Sequence, residues 1–362
     1  MGVWIVRDSH GEQIARVRRL IMEIGIAKET RRNERRVSLV PRDVAELVKA
    51  GHTVHVQEDA GTAAGFPPGA YEQAGARISN GLHDCDLVVG VKEPALAGLK
   101  RRLTVMAYLH VEKGQNADLL RRLKKRKILS YAYEEVRNGR DERLINLGFE
   151  AGIVGIVEGL RILGKTLENA GRRNPFSRLI PVAEYGSKKR IYSEVAKLGS
   201  VNTINVVIMG RGRVSQGVQD LLRQTNISPS VLWRKETANI EAYLPDVDIL
   251  VNAVDWYPGE PHIVRRRSLR LLKRTALILD ISCDTNGAVE TCIPTTWDDP
   301  VYEVDGITHF CVSNLPSAIP ADSSDHLSSM ILPHVMKVAS GEELKTGLMT
   351  KDGQFAYREA HA

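Results

Sequence analysis

The sequence of 362 residues lacks several features that would place it in a special class. Its four cysteines include no C-x-x-C pair, so their spacing gives no zinc signature and favours buried thiols. No apolar run reaches the length of a membrane helix, about 20 residues. Residues 1–21 are Arg-rich but lack the apolar core of a signal peptide. We therefore expect a cytoplasmic protein without a membrane partner.

Aromatic residues are also scarce, at 5% of the chain, and they do not interleave with a basic stripe. The net charge is +6, but the lysines and arginines are spread along the whole sequence. This distribution does not indicate a nucleic-acid partner. It suits an enzyme whose small ligands are carboxylates and phosphates.

Apolar strands alternate with amphipathic helices along most of the chain, which predicts an α/β fold. We expect two Rossmann-like domains with parallel sheets and a cleft between them. The predicted substrate or catalytic domain comprises residues 22–145 and 320–362, and the dinucleotide-binding domain comprises residues 146–319. Residues 1–21 are either an N-terminal extension or the product of a misplaced start, because a second methionine at position 22 begins a clear strand.

A glycine-rich turn at Gly210, Gly212 and Gly217 joins an apolar strand to a helix. Such turns let the backbone approach a pyrophosphate, and the free N–H groups of the helix start attract its charge. We expect Arg213 and Val214, at that helix start, to contact the coenzyme. The third glycine is two positions later than in G-x-G-x-x-G, so a turn that only packs a helix on a strand is the alternative.

The next strand ends at Trp233, followed by Arg234 and Lys235. An acidic residue here would bind the ribose of NAD, whereas cations suit the 2′-phosphate of NADP. We therefore favour NADP(H) as cofactor, with NAD(H) as the alternative if Arg234 and Lys235 are surface charges and Glu236 supplies the acid. Further along the same sheet, Ala253 and Val254, Asp284 and Asn314 lie near strand ends and are expected coenzyme contacts.

In the first domain, Lys92 and His110 each come directly after an apolar strand. The carboxyl ends of parallel strands meet at one edge of a sheet, so both side chains can face one crevice. Both have pKa values that burial and neighbouring charges can bring near neutrality, as proton transfer requires. The alternatives are a solvated loop lysine and a histidine satisfied at a strand end.

These residues lie in motifs that resemble the alanine dehydrogenase and saccharopine dehydrogenase superfamily. The resemblance covers residues 22–337 and rests on motifs in a fixed order, namely KETRRNERRVSLVP, GHTVHVQEDAG, VGVKEP, YLHVEKGQN, GFEAGIVG, GRGRVSQG, LDISCDTNG and SNLPSAIPADSS. The sequence most resembles the branch that contains saccharopine dehydrogenase, the lysine–ketoglutarate reductases and N5-(carboxyethyl)ornithine synthase. The segment 345–362 does not clearly match the saccharopine enzymes.

The resemblance implies a role for each matching residue. Lys92 and His110 match the active-site lysine and the acid–base histidine, and Arg36 matches an arginine that pairs with the substrate carboxylate. Glu134 and Arg143 match a carboxylate and an arginine near the substrate. Asp284 matches an aspartate beside the nicotinamide. No metal is implied.

The favoured function is therefore an opine- or saccharopine-type dehydrogenase that joins a lysine- or ornithine-like amino acid to a 2-keto acid through an imine, or runs the reverse reaction. An alanine dehydrogenase, which uses ammonia in place of the amine, is one alternative. A non-catalytic nucleotide-binding protein is another, and a homo-oligomer is an open possibility.

Overall fold

The structure, a computed structural model, describes residues 3–7, 13–17, 21–112, 116–199 and 204–357. The chain divides into two compact units, Met1–Asn146 with Ser324–Ala362, and Leu147–Ser323. We call these unit 1 and unit 2. Of the expected extension at residues 1–21, residues 1, 2, 8–12 and 18–20 lie outside the described residues, as do residues 358–362 of the expected substrate domain.

Unit 1 begins with eight strands and three helices. In chain order these are β1 (Val3–Arg7), β2 (Gln13–Val17), β3 (Glu23–Ile26), α1 (Pro41–Lys49), β4 (Thr53–Gln57), α2 (Pro68–Gln73), β5 (Arg77–Ser79), β6 (Leu87–Lys92), β7 (Thr104–Tyr108), α3 (Ala117–Arg126) and β8 (Leu129–Ala132). Strands β1 and β2 form a separate antiparallel pair.

Unit 2 follows with four helices and six strands. They are α4 (Gly148–Asn169), α5 (Lys188–Ala196), β9 (Val206–Met209), α6 (Arg213–Leu222), β10 (Ser230–Leu232), α7 (Arg234–Thr237), β11 (Ile249–Asn252), β12 (Leu277–Asp280), β13 (Val301–Val304) and β14 (Ile307–Phe310). The chain then continues through α8 (Pro320–Ala339), β15 (Leu348–Lys351) and β16 (Gln354–Phe355).

The main sheet of unit 1 has the order β16-β15-β8-β7-β6-β3-β4-β5. The strands from β8 to β5 are parallel, and β15 and β16 extend the sheet with antiparallel pairings. After β3 the chain adds strands on one side through β4 and β5, and then on the other through β6, β7 and β8. The topological switch point, where ligands bind in such sheets, therefore lies between β3 and β6.

The sheet of unit 2 has the order β10-β9-β11-β12-β14-β13, parallel except for β13. Its strands β9, β11 and β12 are buried along their whole length, as expected of strands covered on both faces. The switch point lies between β9 and β11. Both sheets are predominantly parallel, so the prediction of an α/β fold with two Rossmann-like sheets is confirmed.

Helix α4 packs against α6 at a distance that only glycine permits. A Cβ on Gly217 would overlap the backbone carbonyl of Phe149, and a Cβ on Gly152 would come within 2.9 Å of the backbone nitrogen of Val218. The small residues in the segment 148–164 thus let the two helix backbones touch. This contact fixes the start of α6, which follows the glycine turn.

Helix α4 begins at Gly148, runs through the small apolar residues and continues to Asn169. In the polar segment 170–199 that follows, the apolar side chains are buried in the core of unit 2. These side chains are Phe176, Val182, Tyr185, Ile191 and Val195. Their wide spacing among charged residues hides the pattern in the sequence.

Candidate active site

The structure brings Lys92 and His110 together at the carboxyl edge of the unit 1 sheet. Lys92 is the last residue of β6, and His110 lies two residues beyond the end of β7, the neighbouring strand. The Lys92 Nζ and the His110 Nε2 are 3.4 Å apart. Burial, followed by the positive charge of Arg36, lowers the pKa of Lys92 to about 8. Lys92 can therefore take up and release a proton near neutral pH, within reach of the His110 ring.

Two carboxylates, the half-buried Glu29 and the buried Glu134, hold the backbone on either side of this pair. Glu29 accepts hydrogen bonds from the backbone N–H groups of Val91 and Lys92, at 2.7 and 3.0 Å. Glu134, after β8, accepts from the backbone N–H groups of Leu109 and His110. Burial, followed by a neighbouring carboxylate, raises the pKa of each to about 7. These contacts fix the two strand ends that carry Lys92 and His110.

Arg36 forms a buried, bidentate ion pair with Glu34. The Arg36 Nε donates to the Glu34 Oε1 at 2.7 Å, and the Arg36 Nη2 donates to Oε2 at 2.6 Å. Although burial opposes it, this pairing lowers the pKa of Glu34 and keeps Arg36 charged. The guanidinium is thereby held in one orientation, with two of its five N–H donors committed to Glu34.

His110 occupies the left-handed region, with φ of 50°. For a residue with a Cβ this conformation is uncommon, and it persists where the surroundings hold it. Here Glu134 holds its N–H, and its ring stacks on Tyr108 with centroids 6.0 Å apart. The Tyr108 ring also lies 5.3 Å from the Lys92 Nζ. The backbone of His110 is thus held by Glu134, and its ring lies against Tyr108 and Lys92.

The backbone of Arg143 forms an isolated antiparallel β-bridge with the backbone of Arg137. Its role at the substrate stays a prediction, as do those of Arg36 and Glu134. Glu29, Glu34 and Tyr108 were missed by the sequence-based argument. The signal for the two glutamates was their place beside Arg36 in KETRRNERR, after the strand at the switch point.

In unit 2 the three glycines have three different environments, and these fit a dinucleotide pyrophosphate. Gly210 has φ of 104°, and a Cβ there would lie 2.6 Å from the Ala253 carbonyl oxygen. A Cβ on Gly212, the N-cap of α6, would meet open space. A Cβ on Gly217 would overlap the backbone carbonyl of Phe149. The first glycine makes the turn, the second leaves room for close approach, and the third packs the helix.

A cationic cluster lies at the end of β10. The Arg211 guanidinium stacks over the Trp233 ring at 5.1 Å, and Trp233 is 57% exposed. Arg234 and Lys235 begin α7, and both are exposed. Glu236, the acid that could have served the ribose of NAD, accepts the Trp233 N–H at 3.0 Å.

The other predicted coenzyme contacts lie past the ends of β11, β12 and β14, which are parallel neighbours. Ala253 and Val254 follow β11, and the Val254 carbonyl accepts a hydrogen bond from the Ser282 hydroxyl. Asp284 and Asn314 are both half-buried, and Asn314 has φ of 71°. All four share the carboxyl edge with the glycine turn, and their contact with a coenzyme stays a prediction.

Comparisons with known proteins agree with this arrangement. Residues 25–154 match the family "Alanine dehydrogenase/PNT, N-terminal domain", and residues 204–357 match the corresponding C-terminal domain. The chain is 30% identical over 363 residues to alanine dehydrogenase of Bacillus subtilis (strain 168), with 93% of each chain covered. It is 31% identical over 358 residues to alanine dehydrogenase 2 of Staphylococcus aureus (strain Mu50 / ATCC 700699), covering 92% of this chain and 94% of that one.

Two solved structures are similar over most of their length. An L-alanine dehydrogenase superposes with a TM-score of 0.74 and 26% identity, covering 93% of this chain and 97% of that one. A transhydrogenase from Sinorhizobium meliloti shares the fold, with a TM-score of 0.65 and 19% identity, covering 92% and 99%. No helix in the part of the chain that the structure describes is long and apolar enough to cross a membrane.

The fold and the two strand-edge sites define an NAD(P)-dependent oxidoreductase of the class that acts on carbon–nitrogen bonds. Within that class, the chain belongs to the alanine dehydrogenase/PNT family. The superfamily resemblance is therefore confirmed, but the saccharopine branch is not among these relatives. The prediction of an opine- or saccharopine-type reaction was wrong, because relatives covering over nine-tenths of the chain are alanine dehydrogenases. One of the motifs that favoured it, GFEAGIVG, forms the start of α4 and packs it against α6, so it carries no information on the substrate.

Proposed function

We propose that this protein interconverts L-alanine and pyruvate, with water consumed and ammonia released in the oxidative direction. The proposal is supported by the named relatives and carried by one observation, the contact between Lys92 and His110 at the switch point of the unit 1 sheet. A coenzyme whose pyrophosphate binds at the glycine turn of unit 2 would supply the hydride acceptor or donor through its nicotinamide.

The residues of unit 1 hold the substrate and move its protons. Arg36, held rigidly by Glu34, offers a planar guanidinium to the substrate carboxylate. The ammonium group of alanine must lose a proton before hydride can leave Cα, and neutral Lys92 or His110 accepts it. Water then adds to the resulting imine and loses a proton to the same pair, which next protonates the nitrogen. The C–N bond breaks as the pair takes the hydroxyl proton, and pyruvate and ammonia are released. Two adjacent bases thus suffice for the proton transfers.

The test is coenzyme oxidation measured with pyruvate and ammonium, beside pyruvate or 2-oxoglutarate with lysine or ornithine. We expect turnover with pyruvate and ammonium that disappears when ammonium is omitted. Turnover that requires lysine or ornithine, or no turnover with ammonium and any 2-keto acid, would overturn the proposal. The Lys92→Met variant serves as the control for contaminating activity.

We further infer that the coenzyme is NADP(H). Three cations, Arg211, Arg234 and Lys235, are near or follow the end of β10, and the carboxylate of Glu236 is engaged by a backbone N–H. A 2′-phosphate would meet cations there, whereas the ribose hydroxyls of NAD would meet a carboxylate, Glu236, one oxygen of which already accepts the Trp233 N–H.

Replacing Arg234 by Asp should therefore shift the ratio of kcat/KM values from NADPH toward NADH by at least about tenfold, because a phosphate contact becomes a repulsion. Arg172→Asp, which changes an exposed arginine elsewhere in unit 2, should leave the ratio unchanged. An unaltered ratio in Arg234→Asp would refute the assignment.

A further inference from the structure

Three of the four cysteines gather with a buried carboxylate beyond the ends of β12 and β14. The Cys292 and Cys311 sulfurs are 3.1 Å apart, and both residues are fully buried. A carboxylate oxygen of Asp280 lies within 4.8 Å of both sulfurs. The Cys283 thiol interacts with that of Cys311. None of these side chains has a part in the proposed reaction.

The strand register explains why these residues meet. Leu279 in β12 pairs with Phe310 in the parallel strand β14, so Asp280 and Cys311 are the next neighbours along the two strands. Cys283 follows β12 in a left-handed conformation, with φ of 57°. Cys292 comes from the next loop, where its N–H donates to the Val289 carbonyl at 3.0 Å. Asp280, Cys292 and Cys311 thus converge from three chain segments, and the Cys283 thiol lies beside that of Cys311.

Asp280 is oriented as a metal-binding carboxylate would be. Its Oδ1 accepts hydrogen bonds from the Asn252 side chain and from the Cys283 N–H, both at 3.0 Å. Its Oδ2 is buried and accepts no hydrogen bond of ordinary geometry among the described residues, and the carboxylate interacts with the Cys292 thiol. A buried oxygen left in this way costs free energy unless something binds it. Ligating carboxylates are typically held by such outer hydrogen bonds on one oxygen.

The thiols are protonated when no metal is bound. Interaction with Cys311, followed by burial, raises the pKa of Cys292 far above its usual value, and burial also raises the pKa of Asp280. A divalent cation would displace the thiol protons, so its affinity must rise with pH.

We propose that Cys283, Cys292, Cys311 and Asp280 form a structural site for one thiophilic divalent cation, of which Zn²⁺ is the natural example and Cd²⁺ a probe. Thiolate ligands select such ions, and four protein ligands close a structural site. Tetrahedral Zn–S bonds place two sulfurs about 3.8 Å apart, so Cys292 and Cys311 need to separate by roughly 0.7 Å.

A disulfide between Cys292 and Cys311 is the competing use of the same pair. It would need the sulfurs to approach by about 1 Å, to about 2.05 Å. It would also leave the Oδ2 of Asp280 and the Cys283 thiol without a role. The metal site accounts for all four side chains, and the disulfide accounts for two.

The experiment measures metal content and thiol protection in the full-length protein. The protein is purified from cells grown with added Zn²⁺, and metal per chain is determined by mass spectrometry. We expect about one equivalent, lost in Cys292→Ser and Cys311→Ser and kept in Cys85→Ser, which changes a buried thiol of unit 1. Added Cd²⁺ should give a thiolate-to-metal ultraviolet band in the wild type and in Cys85→Ser.

A second measurement on the wild type covers the case in which the variants do not fold. Alkylation under mild denaturation, followed by peptide mapping, should show Cys283, Cys292 and Cys311 protected by Zn²⁺ and Cys85 unaffected. Absence of bound metal together with no Cd²⁺ band overturns the proposal. A Cys292–Cys311 disulfide found in the unreduced, unfolded chain also overturns it.

Discussion

Among single residues, Lys92 and His110 have the most direct consequence for turnover. Each lies within reach of the other, and each is held by a backbone hydrogen bond to a carboxylate. We predict that Lys92→Met and His110→Gln each lower kcat by about two orders of magnitude or more, because a positioned acid–base group contributes about that much. Circular dichroism should show unchanged folding. Near-wild-type rates in both variants would remove the assignment.

The pH profile is a second prediction at this scale. Lys92 has a pKa of about 8, so it is protonated below that pH and neutral above it. If neutral Lys92 accepts the substrate proton, kcat/KM for alanine oxidation rises up to about pH 8 and then levels off. The residual activity of Lys92→Met should lack this limb. A wild-type profile without any limb between pH 7 and 9 would contradict the role.

The sequence predicted much of this site, because strand ends at a switch point can be read from apolar runs. It did not predict the buried pair of Glu34 and Arg36 or the anchoring role of Glu29. Charged residues in a loop are ordinarily solvated, and only the fold reveals that these are enclosed. The cysteine cluster was also missed, since Cys283, Cys292 and Cys311 are not spaced as a known motif and meet through strand register.

At the scale of secondary-structure elements, two glycines of the turn before and in α6 have different roles. Gly217 allows α6 to pack against α4, and Gly212 leaves space for a coenzyme. Gly217→Ala would place a methyl group against the Phe149 carbonyl. We predict a loss of stability of about 1–3 kcal/mol, since backbone cannot move aside cheaply. Gly212→Ala, which faces open space, should leave the thermal unfolding midpoint unchanged while weakening coenzyme binding. Equal midpoints for the two variants would show that the helices can separate without cost.

Several elements were not predicted from the sequence, although one of them has a recognisable sequence pattern. Strands β13 and β14 form an antiparallel hairpin whose turn is Asp305-Gly306. An Asp-Gly turn between alternating residues is a strong hairpin pattern. The antiparallel pairing of β15 with β8 had no such signal. It joins residues 220 positions apart, as in the Ser130–Thr350 hydrogen bond, and no local pattern encodes that partner.

At the scale of the whole molecule, the coenzyme should act as a stabilising ligand. A ligand that binds only the folded protein at 100 times its Kd adds about 2.7 kcal/mol. We predict that NADPH raises the thermal unfolding midpoint more than NADH does at equal concentration, and that Gly212→Ala reduces the rise. Differential scanning fluorimetry measures both. A larger shift with NADH would argue against NADP(H) as the coenzyme.

The discontinuity of unit 1 has a consequence for biosynthesis. Strand β8 leaves the ribosome long before β15, which later covers its edge. Until then a nascent chain exposes an unsatisfied strand edge, which is a template for aggregation. Unit 2 is contiguous in sequence and can complete its folding earlier. Premature termination before residue 348 should therefore yield a product that chaperones retain, in which unit 2 is folded and the edge of β8 in unit 1 stays unpaired.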